Sequence, residues 1–181
     1  RPTLSVQPES TGDAAADAVL GRLQSAGAAT FTAEYEIRSS NGPEATATVA
    51  QDGPGRRAVT IAATRFLTDG RSSSTCDVES GRCADGLNAA PVSDLGITPS
   101  FYDASPATRL RRDAGQRTGP IEATTETIGG QSAACVTIPV AQTAAHYCAL
   151  DAGPLARMRT TDVTVELTAF SPAVDASQFE P

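Results

Sequence analysis

Hydrophobic and polar positions follow two periods along this chain, and the switch between them comes early. Over residues 13–26 the apolar residues Ala15, Ala16, Val19, Leu23 and Ala26 recur every three or four positions, which predicts a helix with one apolar stripe. Ser10, Thr11 or Asp13 would cap its start, and Gly27 follows its end. From Phe31 the period falls to two. Phe31, Ala33, Tyr35 and Ile37 alternate with Thr32, Glu34, Glu36 and Arg38, the signature of a strand with one buried face. Further strands are expected over residues 45–50, 57–63 and 64–70, with NGP and QDGPG as turns, and a hairpin over 71–84.

The middle of the chain breaks the alternation. PVSDLGITPSFYDASPATRLRRDAG, residues 91–115, carries helix starts instead: Thr98-Pro99 and Ser105-Pro106 each set a capping residue before proline, and Gly115 would stop the last helix. Strands resume over 121–128, turn at Gly129-Gly130, run through 135–150, and close over 155–160 and 161–168. The sum is an α+β domain, one long antiparallel meander with an N-terminal helix and a mid-chain helical insertion. Helices this few cannot cover both faces, so they belong on the apolar, concave face of a strongly curved sheet.

Incomplete filling between sheet and helices would leave an apolar cavity, the kind of site that takes apolar ligands. Alternation nominates its lining: Phe31, Tyr35, Ile37, Val49, Val59, Ile61, Phe66, Val163, Val165 and Leu167 from strands, with Leu95, Ile97, Phe101 and Leu110 from the insertion. Ordinary core packing would produce the same pattern.

The four cysteines are Cys76, Cys83, Cys135 and Cys148. CVTIPVAQTAAHYC, residues 135–148, holds two of them and the only histidine, His146. The spacings are not those of a common zinc site, and there is no CxxC, so no metal and no cofactor is expected. A turn centred near Ala141-Gln142 would set Cys135 opposite Cys148, and Glu79-Ser80-Gly81 would do the same for Cys76 and Cys83. Four cysteines allow three pairings, of which local pairing within each hairpin is the simplest. His146 as a catalytic base would need a nucleophile, and no G-x-S-x-G or similar signature supplies one. As a strand residue it would face solvent or polar neighbours. No catalytic residue is nominated, and an enzyme is the last of the readings. The carboxylates Glu34, Glu36, Glu122, Glu126 and Glu166 sit on the polar faces of strands, where solvation explains them.

Composition narrows the partners. The chain has 181 residues, one domain's length, with residues 1–11 reading as a tether and 12–181 as the domain. Net charge is −7, and all fourteen basic residues are scattered arginines, which excludes the basic surface that nucleic acid requires. Aromatics make up only 4% and there is no tryptophan. A core built largely of alanine gains little at about 25 cal/mol per Å², so covalent staples would matter. Disulfides place the chain outside a reducing cytoplasm. An export signal or lipid anchor, holding the domain at the membrane periphery, would precede residue 1.

The element order resembles the LolA/LppX-like family of lipoprotein carriers and envelope lipid-binding lipoproteins, in an actinobacterial type. The opening helix with TFTAEYEIRSSNGPEATATVAQDGPGRRAVTI, the segment TETIGGQSAACVTIPV…HYCALDAGPLARM, and the closing VTVELTAFSPAVDASQF carry the likeness. It implies a half-barrel with helices plugging its open side and a lipid or acyl chain held between them. It also implies a secreted or lipid-anchored location at the cell envelope. The alternative on the same scaffold is a non-enzymatic sensor or interaction module that binds another envelope protein and no lipid.

Overall fold

The computed structural model describes residues 10–181. The expected tether therefore lies outside the described residues, except for its last two. Those two are tied down: the Ser10 and Thr11 hydroxyls donate to the Asp17 carboxylate at 2.6 and 2.7 Å. Helix α1, Ala14–Ser25, begins where the first period predicts, with Asp13 accepting from the Ala15 and Ala16 amides at 3.0 and 2.9 Å. It buries Ala16, Val19, Leu20 and Leu23, one stripe.

Eleven strands follow: β1 Thr30–Ser39, β2 Glu44–Asp52, β3 Arg56–Ile61, β4 Thr64–Thr68, β5 Ser73–Asp77, β6 Cys83–Asp85, β7 Glu122–Ile128, β8 Gln131–Val140, β9 Thr143–Leu150, β10 Leu155–Arg159 and β11 Val163–Ser171. They form one antiparallel, open sheet in the order β6-β5-β4-β3-β2-β1-β11-β10-β9-β8-β7. Two meanders thus meet at β1 and β11, in the middle of the sheet. Tyr35, Ile37 and Ser39 face Leu167, Val165 and Val163 across this seam, and a bulge at Glu34/Tyr35 shifts the register beyond it.

Helix α2, Ala104–Gly115, and a 3₁₀ turn over Ala90–Leu95 make up the insertion. It crosses the concave face and buries Val92, Leu95, Phe101, Tyr102 and Leu110 there. The α+β half-barrel with helices on its concave face is the architecture found. No described helix is long and apolar enough to cross a membrane.

Three local expectations need correction. Asp103, not Ser105, caps α2, accepting from the Ala104 amide at 2.6 Å. Pro106 fits inside the first turn, where a missing N–H costs nothing, so the residue before it need not be the cap. Thr98-Pro99 opens a turn rather than a helix, and the 3₁₀ segment starts earlier, at Ala90 with Pro91 in its first positions. Strand β3 also stops two residues short of 63. Ile61 pairs with Thr64 around a two-residue turn in which Ala62 takes φ 51°, a turn that no glycine announces.

Cys76 faces Cys83 across β5 and β6, and Cys135 faces Cys148 across β8 and β9; both pairs are disulfides. The second loop closes between Val140 and Thr143, around Ala141-Gln142 as anticipated.

The C-terminal meander rolls tightly. The Gly129-Gly130 turn after β7 rests on β11, although three strands separate them in sheet order. A Cβ on Gly129 would lie 2.9 Å from Leu167 Cδ2, whereas one on Gly130 would meet open space. Both glycines have positive φ, 57° and 76°, so either alanine carries a left-handed cost of about 1–2 kcal/mol. Only Gly129→Ala adds a clash, about 1–3 kcal/mol more. Urea denaturation should rank Gly129→Ala well below Gly130→Ala, and Leu167→Ala should remove most of the difference between them.

Candidate functional site

The fourteen residues nominated as a lining all meet in one continuous apolar core, none more than 6% exposed. The aromatic side chains interlock: Tyr35 meets Phe101 edge-on at 5.1 Å, and Phe31 meets Tyr102 at 5.9 Å. Tyr35 donates to the Leu155 carbonyl at 2.8 Å, which fixes its ring across the seam. Burial raises its hydroxyl pKa well above the ordinary value, so it stays a neutral donor.

A buried polar chain locks the insertion in place. Tyr102 donates to Gln51 Oε1 at 2.8 Å, and Gln51, wholly buried, donates to the Ala26 and Ala29 carbonyls at the end of α1. The Leu155 amide donates to the Tyr102 carbonyl at 2.8 Å. At the other end of the insertion, Tyr147 of β9 donates to the Asp113 carboxylate of α2 at 2.6 Å. Burial first, then this carboxylate, push the Tyr147 hydroxyl far above its usual range. Polar links of this kind fix the insertion's position in a way that apolar packing alone does not.

Depressions on the surface lie elsewhere. One of about 430 Å³ is lined by Glu36, Arg38, Glu44, Ala45, Thr46 and Ala62, and takes in Ile37 alone of the fourteen. Another, about 410 Å³, lies beside the Cys76–Cys83 bridge and is lined by none of them. Among the described residues, the large apolar side chains left exposed are Val78 and Leu87, on either side of β6 at the sheet edge.

The chemistry-bearing side chains gather around the second disulfide. On β9, His146 and Cys148 point to the face opposite Tyr147, because strand neighbours alternate. Thr137 and Cys135 of β8 lie directly across from them. Thr137 Oγ1 is 3.0 Å from His146 Nδ1, and His146 Nε2 is 3.2 Å from Cys148 Sγ. Glu126 reaches in from β7, its carboxylate 3.9 Å from His146 Nε2. Burial holds the imidazole below its usual 6.5, outweighing the pull of Glu126, so it is neutral at pH 7. Both thiols are spent in the disulfide, and the Thr137 hydroxyl bonds the ring nitrogen that faces away from Cys148.

Arg157 of β10 ties the cluster to the rest of the sheet. Its guanidinium pairs with Glu126 of β7 and, through two nitrogens at 3.3 Å, with Glu166 of β11. Glu126 and Glu166 are therefore ion-pair partners, a correction to their reading as merely solvated strand residues. Glu166 lies directly opposite Arg157 on the neighbouring strand, whereas Glu126 reaches it across β8 and β9, and strand alternation reports a side chain's face without reporting which strand lies beside it.

The sequence matches no protein-family model and no curated protein. Solved structures do align with it. A crystal structure of MucB superposes on 94% of this chain and 64% of its own length, at 17% identity and TM-score 0.57. The MucA/MucB complex of Pseudomonas aeruginosa superposes on 93% of this chain and 61% of that one, at 13% identity and TM-score 0.56. A LolA superfamily protein from Nitrosomonas europaea aligns more loosely, at 10% identity and TM-score 0.42. The fold is shared with MucB, and this chain spans about three-fifths of the MucB chains it matches.

Burial opposes ionisation of Glu166, but the hydrogen bonds and charges of Arg157 and Arg159 outweigh it and hold the carboxyl below its usual 4.5. A carboxyl with a lowered folded pKa stabilises the fold above 4.5, and that stabilisation is lost as pH falls through the folded value. Arg157→Met should cost about 1–2 kcal/mol at pH 7. It should also flatten the acid limb of thermal stability measured between about pH 3 and 6.

Proposed function

We propose that this chain is a non-enzymatic, extracytoplasmic binding module whose partner is another envelope protein. The observation that carries the reading is the insertion itself. The space in which an acyl chain would lie is taken by Val92, Leu95, Phe101, Tyr102 and Leu110, all buried against the sheet. The Tyr102–Gln51 and Tyr147–Asp113 hydrogen bonds hold that plug down at both ends. A half-barrel closed in this way offers its outer surface and its two sheet edges, not its interior.

Two further observations support it. Paired disulfides suit an oxidising compartment. The shared fold is that of MucB, which has been solved bound to the periplasmic part of MucA. The partner of the present chain need not resemble MucA at this level of identity.

A second reading keeps the LppX-like expectation of a lipid or acyl chain. The feature favouring it is the plug's make-up: Val92, Leu95, Ile97 and Phe101 come from a segment whose only regular structure is a short 3₁₀ turn. Lifting that segment would vacate an apolar volume of acyl-chain character without breaking a strand.

Native mass spectrometry of the protein isolated from a bacterial envelope without detergent separates the two. The account expects the bare chain, four hydrogens lighter than its fully reduced mass. A lipid-sized adduct released by organic extraction would move the function to acyl-chain carriage.

A further inference from the structure

We propose that the Cys135–Cys148 hairpin is a redox-gated metal site. In the oxidised chain the sulfurs bond each other; in the reduced chain Cys135, Cys148, His146 and Glu126 bind one divalent, zinc-like ion. The ligand atoms of these four residues lie within 4.8 Å of one another, on three adjacent strands. Around a tetrahedral zinc with bonds of roughly 2.0–2.3 Å, ligand atoms sit roughly 3.5 Å apart, so the existing cluster is close to the required size. Two thiolates, one imidazole and one carboxylate are a donor set that zinc accepts.

The surroundings are those of a metal centre. Thr137 Oγ1 holds His146 Nδ1 at 3.0 Å, which turns Nε2 toward Cys148 Sγ and the Glu126 carboxylate. A second-shell hydrogen bond of this kind fixes the ring that ligates. Three anionic ligands exceed the ion's charge by one, and the Arg157 guanidinium beside Glu126 offsets the excess. Arg157 also has Glu166 as a partner, so Glu126 is free to turn toward an ion. The sulfurs are buried, while His146 and Glu126 are partly open, which gives an ion a way in. The Cys76–Cys83 bridge has no such company. Among the described residues this is the one group of three or more metal-ligating side chains that converge.

The redox step is two-electron exchange with an external dithiol. That reductant becomes a disulfide as its two electrons and two protons convert the Cys135–Cys148 bond to two thiols. Binding of M²⁺ then releases the two thiol protons. Either state clamps the hairpin at the same place, once through a sulfur–sulfur bond and once through a metal.

The test is anaerobic Co²⁺ titration of the chain refolded in a phosphine reductant, read by absorption. The expected result is a one-to-one end point, with a thiolate-to-cobalt charge-transfer band and the visible bands of a tetrahedral ion, both erased by Zn²⁺. The oxidised chain should show neither. Cys76→Ala/Cys83→Ala should keep the signal, Cys135→Ala/Cys148→Ala should lose it, and Thr137→Val should weaken Co²⁺ binding about tenfold. Should the reduced chain unfold without metal, Zn²⁺ should restore its β-sheet circular dichroism. Absence of both band and refolding would overturn the proposal, as would a band that survives in Cys135→Ala/Cys148→Ala.

Discussion

Pairing of the first strand with the last is the constraint on which the rest of this structure depends. β1 and β11 are joined by none of the local hairpin turns that link the other neighbours, and their contact closes a loop of more than a hundred residues. Without it the chain would be two separate meanders, each with a bare edge where its best apolar strand lies. Such non-local pairing forms late and is slow, because loop closure must precede any gain from contact. The large side chains are spent accordingly. Of eight aromatic residues, Phe31, Tyr35, Phe101, Tyr102 and Phe170 form one contiguous network at and above the seam. An alanine-rich core concentrates its bulk where the two halves must be joined.

The seam also explains why the insertion lies where it does. Once β1 and β11 are adjacent, the chain between β6 and β7 must return from one edge of the sheet to the other. The short route crosses the concave face. The insertion is therefore both connection and plug, and its polar locks at Gln51 and Asp113 sit over the two meanders that it bridges. The proposal of protein binding rather than acyl-chain carriage rests on this topology more than on any single residue.

Much of the architecture was legible in residue pattern because the signals are local. Period two locates the strands, the apolar stripe with a cap among Ser10, Thr11 and Asp13 locates α1, and hairpin arithmetic makes local pairing of the cysteines the simplest of three. What stayed hidden is non-local or conformational. Alternation in residues 161–168 marks a strand but not that it lies in the middle of the sheet beside residues 30–39. The Ala62 turn carries no glycine or proline. The Asp103 cap was obscured by two Ser/Thr-Pro pairs nearby that look like better starts. Glu126 was indistinguishable from Glu122, four residues earlier on the same face of the strand, until the roll of the sheet brought it beside Arg157 and His146. The same limit applied to the fourteen core residues: a period tells which side chains turn inward, and only the packing of the insertion tells what fills the space they face.

The central claim is that the plug belongs to one cooperative unit with the sheet. Amide hydrogen exchange read by mass spectrometry tests it most directly. The account predicts that the buried amides of residues 97–114 exchange as slowly as those of β1 and β11, through global unfolding. Exchange of the plug orders of magnitude faster than the seam would contradict it, because a segment that opens on its own would make the interior, not the surface, the place where this protein binds.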